Sequence, residues 1–329
     1  MVAFIGRRGF MTMLGGAAAS WPLAARAQQP SMPVIGFLRS TSLADATHLI
    51  SAFRQGLKDS GFVEGQNVRI ELRSAENRQE RLRALVDELI RWPVALIVGD
   101  NVAAIAAKSA EVTVPILFGG GGDPVAEGLV VSLNRPGGNV TGVNFFTSEL
   151  AAKRLDLLRQ LAPSSGTIAV LIHPNTIQTE AERRDLQEAA QTMRQQLAIF
   201  DVDSERDIET AFAKLAQEGV TAVLAGAGPF MNSHRVQLVT LAARHALPMS
   251  YTTRDAVIAG GLMSYGASLT DSFRQLGTYA ARVLTGEKPS DLPVIQPTRF
   301  ELAINIKTAK SLDLNIPPTL LAIADEVIE

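Results

Sequence analysis

The sequence predicts an α/β protein of two doubly wound lobes, each built on a parallel sheet, joined by a hinge of three chain crossings. The first observation is a recurrence, since the order of strands and helices in the first half returns about 133 positions later. The second is that strands such as 94–98 and 222–225 are apolar at every position, which is typical of parallel strands covered by helices on both faces. The third is that amphipathic helices separate the strands.

The first copy is predicted to hold four strands and three helices. The strands are 34–38, 68–72, 94–98 and 115–118, and the helices are 47–60, 78–91 and 101–110. Leu49, Phe53 and Leu57 recur every four residues and mark one apolar face of the first helix. Gly61 ends that helix.

The second copy repeats this order. Its strands are 168–172, 197–202, 222–225 and 248–251, and its helices are 179–195, 204–217 and 232–245. Ser204 and Asp207 are spaced like a capping box at the start of the second of these helices. The copy therefore predicts a second lobe of the same kind.

Three crossings are predicted from elements that have no counterpart in the other copy. The strand 139–146 separates the copies, and a strand at 260–266, a helix at 268–286 and a strand at 300–306 follow the second. We infer a return to the first lobe near Met263 and a last crossing near 292–298. The expected N-terminal lobe is 32–143 plus 265–291, the C-terminal lobe is 146–262 plus 298–312, and 313–329 is a tail.

Residues 1–27 predict a signal peptide that is cleaved after Ala27. Arg7 and Arg8 precede the apolar run 11–19, and Ala25-Arg26-Ala27 has the small-x-small pattern of a cleavage site. The alternative, a membrane anchor, needs about 20 apolar residues, and this run has roughly half that number. The mature chain is therefore expected to be free in an exported compartment.

The export route stays open between two systems. Arg7 and Arg8, with Phe10 two places on, resemble a twin-arginine signal, but Gly6 stands where Ser or Thr is usual, so a general secretory route remains an alternative. The chain has no cysteine, which excludes disulfides and a lipoprotein anchor.

The charge balance argues against a nucleic-acid partner. Residues 1–27 carry three of the 31 basic and none of the 33 acidic residues, so the remainder has a net charge of −5. No basic stripe or interleaved aromatic residues are present, and pairs such as Arg183-Arg184 are typical of a solvated helix face.

The candidate ligand site is a cleft between the lobes. Ligands of open parallel sheets bind beyond the carboxyl ends of the strands, where helix N-termini present free N–H groups. Six loops meet this condition: 40–42, 100–101, 119–123, 174–176, 226–229 and 251–255. The candidate ligand-binding residues are Ser40, Thr41, Asp100, Asn101, Gly121, Asp123, Phe145, Asn175, Gly228, Tyr251, Arg254 and Ser264.

Charged candidates in these loops have two interpretations each. Arg254, near Tyr251, either clamps a carboxylate with two parallel hydrogen bonds or forms a surface pair with Asp255. Asp100 and Asp123 either meet an ammonium group or cap a helix. Four aromatic residues also have two interpretations, since each either lines the cleft or belongs to a core. They are Phe145, Phe146, Phe230 and Tyr251.

Cofactor, metal and catalytic motifs are incomplete. The loop 119–123 lacks the Gly-Lys-Ser/Thr of a P-loop, and Pro124 replaces the third glycine of a dinucleotide fingerprint, which favours a turn capped by Asp123. Leu262 stands where a nucleophile elbow around Ser264 needs glycine, so this serine is interpreted as a crossing-strand residue that faces the cleft. The four histidines are scattered, without metal-ligand spacing. We therefore expect no cofactor, no metal and no enzyme activity.

Several segments resemble a known family along nearly the whole chain. They are LGGAAASWPLAARAQQP in the leader, SLNRPGGNVTGV at 132–143, GGLMSYG at 260–266 and the tail from Phe300 to Glu329. The sequence resembles periplasmic substrate-binding proteins of ABC transporters, of the tryptophan- and tyrosine-type family. The resemblance implies a type I periplasmic binding fold, capture of a small solute and delivery to a permease in the inner membrane. It also implies a periplasmic location, and we expect a monomer.

Two other functions remain as alternatives. A periplasmic sensor module that reports its bound state to a receptor would have the same fold. A flavodoxin-like hydrolase that uses Ser264 or His173 is a more distant alternative. The expected solute is an amino acid or a related aromatic carboxylate.

Overall fold

The computed structural model describes residues 32–145, 147, 150–162, 166–174, 177–297 and 300–329. The predicted leader and its cleavage site after Ala27 lie outside the described residues, as do Phe146 and Asn175. Within the described ranges, no helix is both long and apolar enough to cross a membrane.

The first lobe is built on a five-stranded parallel sheet with the strand order β2-β1-β3-β4-β5. Its strands are β1 (Val34–Arg39), β2 (Arg69–Ser74), β3 (Val94–Asp100), β4 (Ile116–Gly120) and β5 (Val140–Asn144). Its helices are α1 (Thr47–Asp59), α2 (Leu82–Arg91) and α3 (Asn101–Ser109). The apolar face predicted for α1 is buried, because Leu49, Phe53 and Leu57 lie in the core beneath β1.

The second lobe is built on a seven-stranded sheet with the order β12-β11-β10-β9-β8-β6-β7. Its strands are β6 (Thr167–Ile172), β7 (Leu197–Asp201), β8 (Val220–Ala225), β9 (Met249–Tyr251), β10 (Met263–Ala267), β11 (Phe300–Asn305) and β12 (Glu326–Ile328). All neighbouring strands are parallel except β10 and β11, which are antiparallel. Two α/β lobes with largely parallel sheets confirm the predicted fold class.

Nine further helices complete the chain. They are α4 (Ala151–Leu161), α5 (Ile177–Met193), α6 (Glu205–Gln217), α7 (Pro229–Ser233), α8 (Arg235–Arg244), α9 (Arg254–Ile258), α10 (Leu269–Leu284), α11 (Ile306–Ser311) and α12 (Pro318–Ile323) among the described residues. The helix predicted at 232–245 is divided into α7 and α8 around His234. Ser204 caps α6 by accepting a hydrogen bond from the Asp207 backbone, as its spacing predicted.

The chain passes between the lobes three times. The first passage follows β5 and ends at α4, which packs in the second lobe. The second joins β10 to α10, which packs closely on α1, since a Cβ on Gly277 would lie 2.2 Å from the Phe53 carbonyl oxygen. The third lies between Ile295 and Phe300. Three connecting segments therefore join the two lobes, which is the geometry of a hinge.

Two boundaries in the structure differ from those expected. Residues 265–267, assigned to the N-terminal lobe, pair with β11 in the second sheet, so the passage lies at Ser268. The first lobe continues past 291, because Leu292 is buried in its core and Ile295 exchanges backbone hydrogen bonds with Gly142 and Asn144. Both boundaries depend on backbone hydrogen bonds between segments. The apolar pattern of a single strand does not specify these bonds.

The predicted tail 313–329 is part of the second lobe. β12 pairs in parallel with β11 and forms one edge of the second sheet. Leu320 is buried in the core of this lobe, with Leu314 and Ile316 packed against it. β12 has only three residues, which is too short for the alternation that predicts a strand.

Candidate functional site

A cleft lies between the lobes, at the carboxyl ends of strands from both sheets. Its empty volume, including the opening to solvent, is about 840 Å³. First-lobe residues on its surface follow β1, β3 and β4, and second-lobe residues come from α7 and from the segment after β9.

Arg39, the last residue of β1, is a cation of this cleft and is only 8% exposed. Its Nη2 donates a hydrogen bond to Thr41 Oγ1 at 3.1 Å, and its Nη1 lies 3.6 Å from Asp100 Oδ2. Within the described ranges, Arg39 Nε is buried without a hydrogen-bond partner. A guanidinium has five N–H donors, so Arg39 retains donors for an anionic group.

Asp100 is a buried carboxylate whose oxygens are already occupied. Oδ2 accepts hydrogen bonds from Ser40 N at 2.8 Å and from Ser40 Oγ at 3.0 Å. Oδ1 accepts one from Ala103 N at 3.1 Å and thereby caps α3. Of the two interpretations from the sequence, helix capping is the one that the structure shows, and Asp100 also neutralises Arg39.

An apolar wall stands beside Arg39. The rings of Phe145 and Phe273 lie 6.2 Å apart, and the Arg39 guanidinium lies 5.8 Å from the centre of the Phe273 ring. Both rings line the cleft, although Phe145 is also part of the first-lobe core. A Cβ on Gly119 would lie 3.2 Å from Phe145, so a glycine at this position leaves room for the ring. A cation beside aromatic rings suits a carboxylate that carries an apolar group.

The second lobe contributes uncharged polar groups to the cleft, beside the charged Arg235 and Asp255. Thr252 Oγ1 donates a hydrogen bond to Asn232 Oδ1 at 2.8 Å. Thr253 and Gly228 also line the cleft. Gly228 has φ 125°, a conformation that favours glycine, just before α7 begins.

Three polar contacts, here called the lobe-bridging contacts, join the two sides of the cleft. They are His48 Nε2 with Asp255 Oδ2 at 2.8 Å, Arg235 Nη1 with Asp45 Oδ1 at 3.3 Å, and Ser233 Oγ with Asn77 Oδ1 at 3.3 Å. Burial raises the pKa of Asp255, but His48, Arg235 and Arg254 outweigh this effect and lower it. These contacts hold the lobes together over the cleft.

A second cavity adjoins the first and shares Thr41, Asn101 and Gly228 with it. Its empty volume, including the opening to solvent, is about 1210 Å³. Glu127 lines this cavity and accepts a hydrogen bond from Asn101 Nδ2. Burial, opposed by Asn101 and assisted by Asp123, raises the pKa of Glu127 to about 7.

The glycine loop after β4 gives space to the Asn101 and Glu127 side chains. A Cβ on Gly120 would lie 1.7 Å from Asn101 Oδ1, and one on Gly122 would lie 2.1 Å from Glu127 Oε1. Asp123 is exposed and accepts hydrogen bonds from the Val125 and Ala126 backbone at 2.9 and 3.2 Å. The loop is therefore the capped turn that the sequence favoured, and Asp123 lines neither cavity.

Seven of the predicted site residues come together in these two cavities. They are Ser40, Thr41, Asp100, Asn101, Gly121, Phe145 and Gly228. Asn175 lies outside the described residues. The rule that ligands meet the carboxyl ends of parallel strands therefore located the cleft.

Three predicted residues lie elsewhere in the second lobe. Arg254 is on the surface, where its Nη2 donates to Glu326 Oε1 at 2.6 Å, so it clamps a carboxylate of its own chain. Tyr251 is 3% exposed within the core, and burial raises the pKa of its hydroxyl. Ser264 is 1% exposed in β10, between β9 and β11. Tyr251 and Arg254 were predicted from their position at a strand end, and Ser264 from a crossing strand that faces the cleft. Packing turns all three side chains away from the cleft.

Several cleft residues were missed. The predicted strand ends at Leu38 and the predicted loop begins at Ser40, so the prediction leaves out Arg39. A cation at the end of an apolar strand is nevertheless a visible signal. Glu127 lies too far along the chain from any strand end to be selected by the loop rule. The lobe-bridging residues require the relative placement of two lobes, which no local pattern contains.

A buried ion pair supports the second-lobe side of the cleft. Arg154 Nη2 lies 2.6 Å from Glu182 Oε1, and both side chains are at most 1% exposed. Glu182 Oε2 also accepts a hydrogen bond from Ala227 N at 2.8 Å, next to Gly228. Burial lowers the pKa of Arg154 and raises the pKa of Glu182, and the charge of each opposes the effect on the other.

Comparison with known proteins connects this geometry with transport. The model of the family of ABC transporter substrate binding proteins matches residues 32–328. A tyrosine-binding protein of Clostridioides difficile (strain R20291) is 25% identical over 263 residues, which cover 80% of this chain and 75% of the relative.

Two solved structures are similar over nearly the whole chain. The ABC domain from Streptococcus pneumonia in complex with L-Trp has a TM-score of 0.82 and 25% identity, covering 91% of this chain and 100% of the other. The ligand-free, open structure of a substrate binding protein with adhesive properties from Clostridium difficile has a TM-score of 0.65 and 22% identity, covering 90% of this chain and 99% of the other. The fold is that of type I periplasmic binding proteins.

The matching family consists of binding proteins and not of enzymes, which removes the hydrolase alternative. The predicted resemblance and the predicted role in solute binding are confirmed. The chain belongs to the family of ABC transporter substrate-binding proteins, the extracytoplasmic components that bind solute for these transporters.

Proposed function

We propose that this protein captures a small amino-acid-like or aromatic carboxylate in the Arg39 cleft and delivers it, as a monomer, to a permease in the inner membrane. The observation that carries the proposal is the buried Arg39 guanidinium, which has an unpartnered Nε beside the Phe145 and Phe273 rings. The carboxylate of the solute accepts hydrogen bonds from Arg39, and its apolar part packs on the two rings.

The relatives support an aromatic amino acid as the first candidate. The curated relative is a tyrosine-binding protein, and the Streptococcus structure contains L-Trp. The contacts of His48 with Asp255 and of Arg235 with Asp45 join the lobes across the cleft, which agrees with a closed arrangement. Closure over a solute is the signal that a binding protein gives to its permease.

A ligand panel tests the proposal by thermal shift, followed by calorimetry. The panel contains L-tyrosine, L-tryptophan, L-phenylalanine and L-leucine, with tyramine and tryptamine as analogues that lack the carboxylate. A solute at 100 times its Kd stabilises the protein by about 2.7 kcal/mol. We expect a carboxylate to give this shift and its amine analogue to give none. If the carboxylates leave the melting temperature unchanged while another class of compound raises it, the proposed solute class is wrong.

We propose further that the mature protein is periplasmic and begins at Gln28, after cleavage behind Ala27. N-terminal sequencing of the protein recovered from the periplasm tests the cleavage site. Arg7→Lys combined with Arg8→Lys blocks export if the twin-arginine route is used. Unchanged export of this variant would indicate the general secretory route.

A further inference from the structure

Glu127 is a carboxyl group without a counter-ion in the second cavity. Among the residues that the structure describes, no Lys, Arg or His forms an ion pair with it, and its hydrogen-bond donor is the uncharged Asn101 side chain. The same cavity is lined by a second acidic residue, Asp203, and no Lys or Arg is among the described residues that line it. The first cavity, in contrast, contains Arg39 and Arg235 together with Asp45, Asp100 and Asp255. Guanidinium groups therefore line the first cavity, whereas the charged groups on the described lining of the second are carboxyl groups.

Asn101 adds a second unsatisfied acceptor at the boundary of the two cavities. The residue is only 5% exposed, and its Oδ1 has no hydrogen-bond partner within the described part of the chain. While Glu127 is ionised, its oxygen accepts a hydrogen bond from Nδ2, which leaves Oδ1 as the atom without a donor. A buried acceptor without a donor is costly, so this part of the cleft lacks a hydrogen-bond donor that a ligand can supply.

The remaining wall of the second cavity does not oppose a positive charge. The rings of His173 and Phe230 are stacked with their centres 4.5 Å apart. Burial lowers the pKa of His173, and the neighbouring His234 lowers it further, so the His173 ring favours its neutral form. Neutral rings and two carboxyl groups form an environment that suits a cation.

We propose that the second cavity is a cation subsite, in which Glu127 and Asn101 accept hydrogen bonds from a protonated nitrogen of the solute. The inference rests on the proposed function, since the carboxylate of that solute is held by Arg39. Asn101 lines both cavities and follows Asp100, which lies beside Arg39, so one solute can reach both groups. The solute class is then narrowed from carboxylates to zwitterions, with an amine, amidine or guanidine group as the positive end.

The test compares Glu127→Gln with the wild-type protein and with a matched control, Glu111→Gln. The substitution keeps an oxygen that accepts the Asn101 hydrogen bond, so Glu127→Gln is expected to fold. Glu111 is an exposed acid of the same lobe. Two measurements are made: calorimetry with L-tyrosine and with 3-(4-hydroxyphenyl)propionate, which lacks the amine, and ¹³C NMR of the Glu127 carboxyl group during addition of ethylammonium.

We expect ethylammonium to shift the Glu127 carboxyl signal, and we expect Glu127→Gln to weaken zwitterion binding about tenfold or more. Binding of the deaminated acid should be unaffected, and Glu111→Gln should behave as the wild type. The subsite is excluded if ethylammonium leaves the Glu127 signal unchanged, or if Glu127→Gln weakens the zwitterion and the deaminated acid equally. The proposed function would still stand in that case if carboxylates bind and their binding requires Arg39. A shifted Glu127 signal without any carboxylate binding would contradict the proposed function and preserve the subsite.

Discussion

The Nη1 atom of Arg39 lies 3.6 Å from Asp100 Oδ2, so a buried cation and a buried anion adjoin without a short hydrogen bond between them. Asp100 accepts its hydrogen bonds from Ser40 and Ala103 instead. It therefore balances the charge of Arg39 while leaving the donors of the guanidinium available. A cation that is fixed before the solute arrives reduces the ordering cost of binding.

The first prediction concerns the geometry of this cation. Arg39→Lys keeps the positive charge near Asp100 but removes the planar fork that holds a carboxylate with two bonds. We expect the affinity for the carboxylate solute to fall by about 2–4 kcal/mol. Calorimetry with the best ligand of the panel measures the loss, and a melting curve of the free protein reports its stability.

Arg254→Lys is the matched control for Arg39→Lys. Arg254 also holds a carboxylate, that of Glu326, but on the surface of the second lobe. We expect the affinity of this variant to equal that of the wild type. An equal loss in both variants would contradict the assignment of Arg39 to the ligand site.

The second prediction concerns the lobe-bridging contacts. Asp255→Asn removes the charge that faces His48 across the cleft, and it leaves the core of each lobe intact. The closed arrangement is then less populated, and the apparent affinity falls in proportion to that population. We expect a loss of about three- to tenfold, together with a larger radius of gyration of the ligand-free protein in small-angle X-ray scattering.

Asp59→Asn separates this effect from a general loss of surface charge. Asp59 pairs with Arg274 at 2.7 Å, and both residues belong to the first lobe. Its removal should change neither the affinity nor the radius of gyration. If Asp59→Asn and Asp255→Asn have the same effect, the contact between His48 and Asp255 does not stabilise closure.

The architecture could be predicted from the sequence because it depends on patterns within single elements. Apolar runs such as 94–98 specify buried parallel strands, and Ser204 with Asp207 specifies the start of a helix. The rule for parallel sheets then located the cleft through Thr41, Asn101 and Gly228. These predictions need no knowledge of how the lobes meet.

The chemistry of the cleft was harder to predict because it depends on packing between distant segments. Arg254 and Arg39 are both cations near the ends of strands. The sequence around Arg254 does not reveal that Glu326 neutralises it. Tyr251 ends a strand but turns into the core of its lobe. Strand position therefore predicts the neighbourhood of a side chain, whereas its direction depends on residues brought together by the fold.

The third prediction concerns the buried pair of Arg154 and Glu182. Removal of one partner leaves the other charge uncompensated in the interior, which typically costs about 3–5 kcal/mol. We expect Arg154→Met and Glu182→Gln each to lower the free energy of unfolding by that amount. Urea denaturation followed by circular dichroism measures it.

The double variant Arg154→Met with Glu182→Gln provides the control for the buried pair. It has no unpaired charge, and the Gln side chain can still accept the hydrogen bond from Ala227 N. Its stability should therefore exceed that of either single variant. Additive losses in the double variant would show that the two residues do not act as a pair.

The last prediction concerns the pH dependence that Glu127 gives to stability. Its pKa is about 7 in the folded protein, above its ordinary value of 4.5. The folded chain therefore keeps a proton that the unfolded chain has lost between these pH values, and the contribution of Glu127 to stability falls as the pH rises through this window. Glu127→Gln does not titrate. Its free energy of unfolding should gain about 1–2 kcal/mol relative to the wild type between about pH 4.5 and 8, after allowance for partial exposure of the carboxyl group.

Urea denaturation of both proteins across this pH range measures the difference, with Glu111→Gln as the exposed control. A difference between Glu127→Gln and the wild type that is independent of pH would mean that Glu127 is ionised throughout. A gain that grows from about pH 5 and levels off near pH 8 would show that the folded-state pKa of Glu127 lies within this range. Ionised Glu127 would then lower the stability of the free protein, and a positively charged group that binds beside it would offset this loss.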